Sequence, residues 1–296
     1  MMRKYEERMV LAICCFMAIV SAAALILIVG KIFIDGLPSL TLAFILTPEV
    51  SATGLGQGIA NAIVGSFMIS IIATLLATPF AIGTAIYLQR YARESPFTKM
   101  VRFLIEVLSG TPSIVLGIFG LLVFAFYMQK VTGGFSLIAG SISLAILILP
   151  VIERATEDAL ERVSTELEHG SYALGATKWQ TIRNITIPCC ASGIVTGAIL
   201  GFGRAAEESA VVILTAGYSQ FLPEFAVKPN AKLLFDMKIY PLQDVIGTLP
   251  FSVYHAYENS NVVPISCAFA AAFVLIVIVL LVNLTAKIIL WKYGHD

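Results

Sequence analysis

Glu153-Arg154-Ala155-Thr156-Glu157-Asp158 opens a stretch that passes through residues 160–167 and Glu168-His169-Gly170-Ser171-Tyr172-Ala173-Leu174-Gly175-Ala176-Thr177-Lys178-Trp179, and closes on Ile185-Thr186-Ile187-Pro188. It lies between two apolar runs, residues 135–152 and 189–216. Crossing ~30 Å of hydrocarbon takes about 20 helical residues, so both flanks are of membrane-spanning length. A charged, helix-forming segment held between two spans predicts an all-α, polytopic membrane protein. It also raises the question of what so long a polar interruption serves.

Composition agrees. The chain has 296 residues, of which 58% are hydrophobic and 13% charged, with a mean hydropathy of +0.89, whereas soluble domains carry about 25% charged residues. Net charge is zero, which gives no electrostatic footprint for nucleic acid. Cys14, Cys15, Cys189, Cys190 and Cys267 lie in or beside apolar runs; their spacing matches neither a disulfide framework nor a metal site. The basic start, Arg3-Lys4, precedes an apolar run too long for a signal peptide and without a small-residue cleavage pattern, so it reads as a retained first span.

Six stretches reach spanning length: residues 9–34, a run within 59–88, then 103–128, 135–152, 189–216 and 262–290. Pro79 and Gly110-Thr111-Pro112 interrupt the second and third. Lys and Arg collect on one side, at Arg3, Lys4, Arg8, Arg90, Arg93, Lys99, Arg102, Arg154, Arg162, Lys178, Arg183, Lys287 and Lys292. The other side holds Lys31, Lys130, Lys228, Lys232 and Lys238. The positive-inside rule makes the first side cytoplasmic, with both termini on it. Residues 153–188 are then cytoplasmic and 217–261 external. The expected organisation is one transmembrane domain over residues 1–296 with its core at 58–290. Within the external segment, Leu249-Pro250-Phe251-Ser252-Val253-Tyr254-His255-Ala256-Tyr257 reads as an interfacial aromatic segment, and alternatively as part of an external gate or binding-partner contact.

Between Asp158 and Arg183 there is no proline, and Leu160, Val163, Leu167, Tyr172, Leu174, Trp179 and Ile182 recur at spacings suited to short amphipathic helices broken at Gly170 and near Gly175. Such a pair presents an apolar and charged end to a partner's groove, or folds back on the membrane surface; periodicity leaves both open. Gly175, followed by Ile185 and Ile187-Pro188 at fixed spacing, resembles the loop signature of ABC importer permeases. His169-Gly170-Ser171 stands where that signature has Glu-Ala-Ala, with Glu168 one place early, and Ile187 stands for leucine. Further stretches are similar to the A-type phosphate-importer permeases in particular: Gly58–Ser66 in sequence, Ala85-Ile86-Tyr87-Leu88, the run from Thr111 to Gly120, and Gly203-Arg204-Ala205-Ala206-Glu207-Glu208-Ser209-Ala210.

The resemblance implies the type I ABC importer permease fold. It implies that Glu168, Tyr172, Ala173, Leu174, Gly175, Ala176, Ile185 and Pro188 belong to the element that docks on a separate ABC ATPase dimer. Its other implied partners are a C-type sister permease in a heterodimer and an extracytoplasmic phosphate-binding protein, besides membrane lipid. Neither cofactor nor metal is implied. With no Walker A loop, HExxH or G-x-S-x-G in the chain, the expectation is a non-enzymatic subunit.

Arg204, Glu207 and Glu208 fall in the fifth apolar run. Intramembrane charges face polar interiors and mark pathways. Four residues apart on one helix, Arg204 and Glu208 are expected to share a face and pair. Three readings stand together: a structural ion pair, charges that snorkel to the outer interface, or an Arg204 fork that takes an anion in transit while Glu208 holds it at rest. The resemblance matches Arg204 and Glu208 to an Arg and a Glu of the permeases, where Glu207 is an additional acid. Thr111 and Ser113, beside the Pro112 break, offer hydroxyls or freed N–H groups to the same anion. Glu106 is expected to pair with Arg102 on the surface, and Asn61, Ser66, Ser70 and Thr74 to hydrogen-bond across helices. The alternatives are a permease for sulfate or molybdate and a stand-alone ion-coupled secondary transporter.

Overall fold

An apolar run in hydrocarbon must satisfy its own backbone N–H and C=O groups, and the helix does so locally. The computed structural model describes residues 2–51, 54–55, 58–230, 233, 236–259, 261 and 263–293; Lys232, one of the charges used for orientation, lies outside them. α1 (Met2–Gly36) leads through a turn to α2 (Leu42–Leu46), which Thr41 caps by accepting from Phe44 N–H. A small hairpin, β1 (Val50–Ser51) and β2 (Gly54–Leu55), precedes α3 (Ala60–Ile86), which winds on through a π turn at Tyr87–Tyr91. α4 (Pro96–Gly110), α5 (Ser113–Gly120) with a π-helical extension over Leu121–Tyr127, and α6 (Gln129–Thr132) come next. α7 (Leu137–Glu161) is followed by the short α8 (Thr165–Ala173) and α9 (Lys178–Thr181). A second π turn, Ile182–Thr186, feeds α10 (Ile187–Glu207), and α11 (Ala210–Thr215) continues it after a break. The ribbon β3 (Val227–Pro229) and β4 (Met237–Ile239), then α12 (Leu249–Glu258) and α13 (Ile265–Tyr293), complete the chain.

Among the described residues, five helical stretches are long and apolar enough to cross a membrane: Arg8–Ser39, Ala60–Tyr91, Leu137–Glu161, Lys178–Glu207 and Ile265–Lys292. A sixth span requires α4 and α5 together, and these meet at 104°. The interruption expected at Gly110-Thr111-Pro112 in the third span, residues 103–128, is thus a sharp elbow. Pro112 lacks an N–H and drives Thr111 out of the helical region, to φ −74° and ψ 129°.

The fifth span, expected to run to Ala216, is interrupted too. Glu208 is extended at ψ 123°, and its Oε1 accepts the N–H of Ala210 at 3.1 Å, satisfying a donor at the start of α11. The helix of the fourth span does not end at residue 152: α7 runs on through the first part of the polar segment to Glu161. Ile152, Glu153, Thr156 and Leu160 all stay buried along one face, so nothing stops the helix at the edge of the apolar run.

α7 is the central helix. Within the best apolar window of its span 67% of residues are buried, against 0% for that of α1. Ala73, Ala77, Ala81 and Ala85 repeat every fourth residue on α3 and are buried to 1% exposure or less. Small side chains at that spacing let backbones approach, the usual basis of helix association in lipid. α10 does likewise with Gly193, Gly197 and Gly201: a Cβ on Gly197 would stand 2.8 Å from Ala155 Cβ, and one on Gly201 2.7 Å from Ile152 Cγ1.

Candidate functional site

At the basic end of the bundle, α8 and α9 form a knuckle. Ser164 caps α8 by accepting from Glu166 N–H, and Thr177 with Gln180 forms a reciprocal capping box on α9. Between them the chain reverses in a Schellman motif, with Ala176 N–H to Ser171 O at 3.2 Å and Gly175 N–H to Tyr172 O at 2.9 Å. Gly175 supplies the left-handed residue this requires, φ +83°. Gly170 does not break the helix as expected, since α8 runs through it. Ser171 and Thr181 hydroxyls stand 2.9 Å apart and hold the two helices together. At the tip, Leu174 is 91% exposed, with Tyr172, Ala173 and Gly175 also exposed and Ala176 half-buried. At the root, Ile185 is half-buried and Pro188 exposed.

Glu168, expected among the docking residues, is buried and points inward instead, so it is not part of the exposed tip. Its Oε1 accepts from Arg90 Nε at 2.8 Å and from the Thr186 hydroxyl at 2.8 Å, while Arg90 Nη2 donates to Leu160 O at 2.8 Å. The two side chains are 16% and 12% exposed. Removing one member of so buried a pair strands the other and costs about 3–5 kcal/mol. Nearby, Arg102 pairs with Glu157 rather than with Glu106, which is exposed, and Gln89 donates to Glu157 and Glu161. The sequence showed Arg90 only as an orientation charge, because nothing in a sequence links positions 78 residues apart.

The pathway candidates gather at the two helix breaks. Because the helix ends at Glu207, the one-face pairing of Arg204 and Glu208 is corrected: Glu208 is 8% exposed and turned to Ala210 N–H, and no ion pair joins Arg204 to either acid among the described residues. Arg204 and Glu207 are exposed on the last turn of α10. α11 packs on α5, with Gly117 against Ala210 O and Val211 Cα. Thr111 and Ser113 are half-buried at the elbow, and the Thr111 hydroxyl donates to Val107 O at 2.7 Å.

At the opposite end a second polar cluster joins distant segments. Glu49 accepts a hydrogen bond from the Tyr218 hydroxyl, and its Oε1 stands 3.0 Å from His255 Nδ1. Glu49 N–H donates to Asn61 Oδ1 at 3.0 Å, and Asn61 Nδ2 donates to Ser219 O at 2.9 Å. Burial pushes the Glu49 carboxyl above its ordinary value, opposed by His255 and Asn61. Ser66 accepts from Leu249 N–H at 2.8 Å, tying α12 to α3. Cross-helix bonding therefore holds for Ser66 alone of the four: Asn61 bonds to two non-helical segments, Thr74 bonds back to Ser70 O within its own helix, and the buried Ser70 hydroxyl makes no hydrogen bond among the described residues. Glu49, Tyr218 and His255 carried no sequence signal as a group.

These elements define an integral membrane protein: a helical bundle with two interrupted spans, a polar knuckle at one end and a polar cluster around the buried Glu49 at the other. Residues 77–291 match the family described as binding-protein-dependent transport system inner membrane component, and the chain belongs to it. It is 38% identical over 218 residues to the probable ABC transporter permease protein YqgI of Bacillus subtilis (strain 168), covering 73% of this chain and 72% of that one. To the phosphate transport system permease protein PstA of Yersinia pestis it is 34% identical over 262 residues, 88% of this chain and 81% of the relative. A crystal structure of a bacterial alginate ABC transporter, in complex with an alginate pentasaccharide-bound periplasmic protein, contains a chain that superposes with a TM-score of 0.63. The match has 16% identity and covers 94% of both chains. The importer permease fold implied by the signature is thus the fold found.

Proposed function

We propose that this chain is the membrane permease subunit of an ATP-driven importer for inorganic phosphate. The knuckle, on the cytoplasmic side, docks on a separate ATPase dimer through Tyr172, Ala173, Leu174, Gly175 and Ala176. The opposite end faces an extracytoplasmic phosphate-binding protein, and a C-type sister permease completes the path. The cargo reading is supported by the likeness to PstA over most of the chain. Docking is carried by one observation, a leucine 91% exposed at the tip of a doubly capped helical knuckle. Water is a poor environment for such a residue, and a partner's groove a good one.

Along the path, Arg204, Thr111 and Ser113 would meet the anion at the two helix breaks, with Glu207 and Glu208 as the flanking acids. A guanidinium presents a planar fork of N–H donors suited to phosphate.

The test is co-purification of the ATPase with Leu174→Asp. The apolar contact would be replaced by a buried charge, so the ATPase should be lost while the permease stays folded. Retention at wild-type stoichiometry with wild-type uptake would overturn the docking surface.

A further inference from the structure

A push applied to the knuckle reaches the bundle only through what joins them. By chain connectivity, α8 follows α7 through residues 162–164 and leads into α10 through α9; it has no covalent route to α3. The side chains supply one. Arg90 lies in the π turn that ends α3, and Thr186 in the π turn that begins α10. Glu168 Oε1 accepts from both at 2.8 Å, while Arg90 Nη2 holds Leu160 O, a carbonyl in the last turn of α7. A single carboxylate oxygen on α8 therefore joins the ends of α3 and α10, and the guanidinium it holds adds α7. π turns are retained mainly at functional positions, and here two of them are bridged. Lys178, on α9, adds a second tie to the same turn of α3, its Nζ 4.8 Å from the Tyr91 ring centre.

We propose that Arg90 and Glu168 are positioning residues: together they form the joint that makes α3 follow the knuckle, so that ATPase motion reaches the second span as well as the fourth and fifth. This rests on the docking reading above. Without the pair, α8 would still be exposed and still dock, but part of its displacement would be absorbed at the knuckle.

The experiment compares uptake per ATP hydrolysed in vesicles holding the complete complex, with wild type, Glu168→Gln, Arg90→Glu, Glu168→Arg and the double swap Arg90→Glu/Glu168→Arg. The single variants should retain the ATPase and its hydrolysis, yet lose uptake per ATP by about fivefold or more, within the usual range of coupling between sites. The double swap should recover most of it, and a swap no better than its parents overturns the joint. Wild-type uptake per ATP in Glu168→Gln, which preserves volume, also overturns it. So does a loss of uptake that only parallels loss of the ATPase from the complex, because the pair would then merely hold the fold together. Hydrogen exchange in the permease without its ATPase separates this proposal from docking. The amides of α8 should exchange faster in Glu168→Gln than in wild type even if no ATPase binds, and unchanged protection counts against the joint alone.

Discussion

Glu49 shows how much a single residue can depend on partners far away in sequence. A carboxylate 6% exposed is tolerable only when hydrogen-bonded, and its partners come from α12, from the start of α3 and from the segment after α11. Because burial raises its pKa, the folded protein holds the proton more tightly than the unfolded chain does. The stability this contributes is present at low pH and fades as pH rises from the ordinary 4.5 through the raised value. The titratable groups facing it among the described residues are Tyr218 and His255. Hydrogen exchange over residues 249–258, corrected for the intrinsic pH dependence of exchange, should show wild-type protection falling through that window. In Glu49→Gln that fall should vanish. None of this was legible beforehand: Glu49 reads as one acid in a loop, and His255 as one polar residue in an aromatic stretch.

Elements were read more successfully than their ends. The apolar runs located the spans, since only helices satisfy isolated backbone in lipid. Pro112 marked the third-span break, but its 104° angle depends on what α5 packs against. The break at Glu208-Ser209 has neither proline nor glycine to announce it. Two glycines, one at the α7–α10 contact and one in α8, give an element-scale prediction. At Gly197 a Cβ meets Ala155 Cβ at 2.8 Å and Ile152 O at 3.4 Å. Overpacking of about 1–3 kcal/mol should exceed alanine's helical advantage of about 1 kcal/mol, so Gly197→Ala should lower the thermal midpoint. Gly170, mid-α8, has nothing within 4 Å of an added Cβ, and Gly170→Ala should raise it by the propensity term alone. The opposite signs, measured by unfolding in detergent, separate packing from propensity.

Taken whole, the bundle holds two polar clusters at opposite ends, linked by α3, α7 and α10. Uptake of phosphate into vesicles should therefore need the ATPase and ATP, and permease alone should move none. In the complete complex, Arg204→Ala should lose uptake while every subunit still assembles; wild-type uptake would remove Arg204 from the path. What the sequence determined by itself is whatever can be read locally. That covers membrane insertion, the helical runs, the helix break near Gly175, and the signature that places the chain in its family. Only the tertiary structure decided that Glu168 turns inward to Arg90, that Arg204 and Glu208 part company at a helix end, and that Glu49 meets His255. The physical reason is range: hydropathy and backbone preference act within a few residues, whereas a buried charge is settled by whichever partner the packing brings within 3 Å, however distant along the chain.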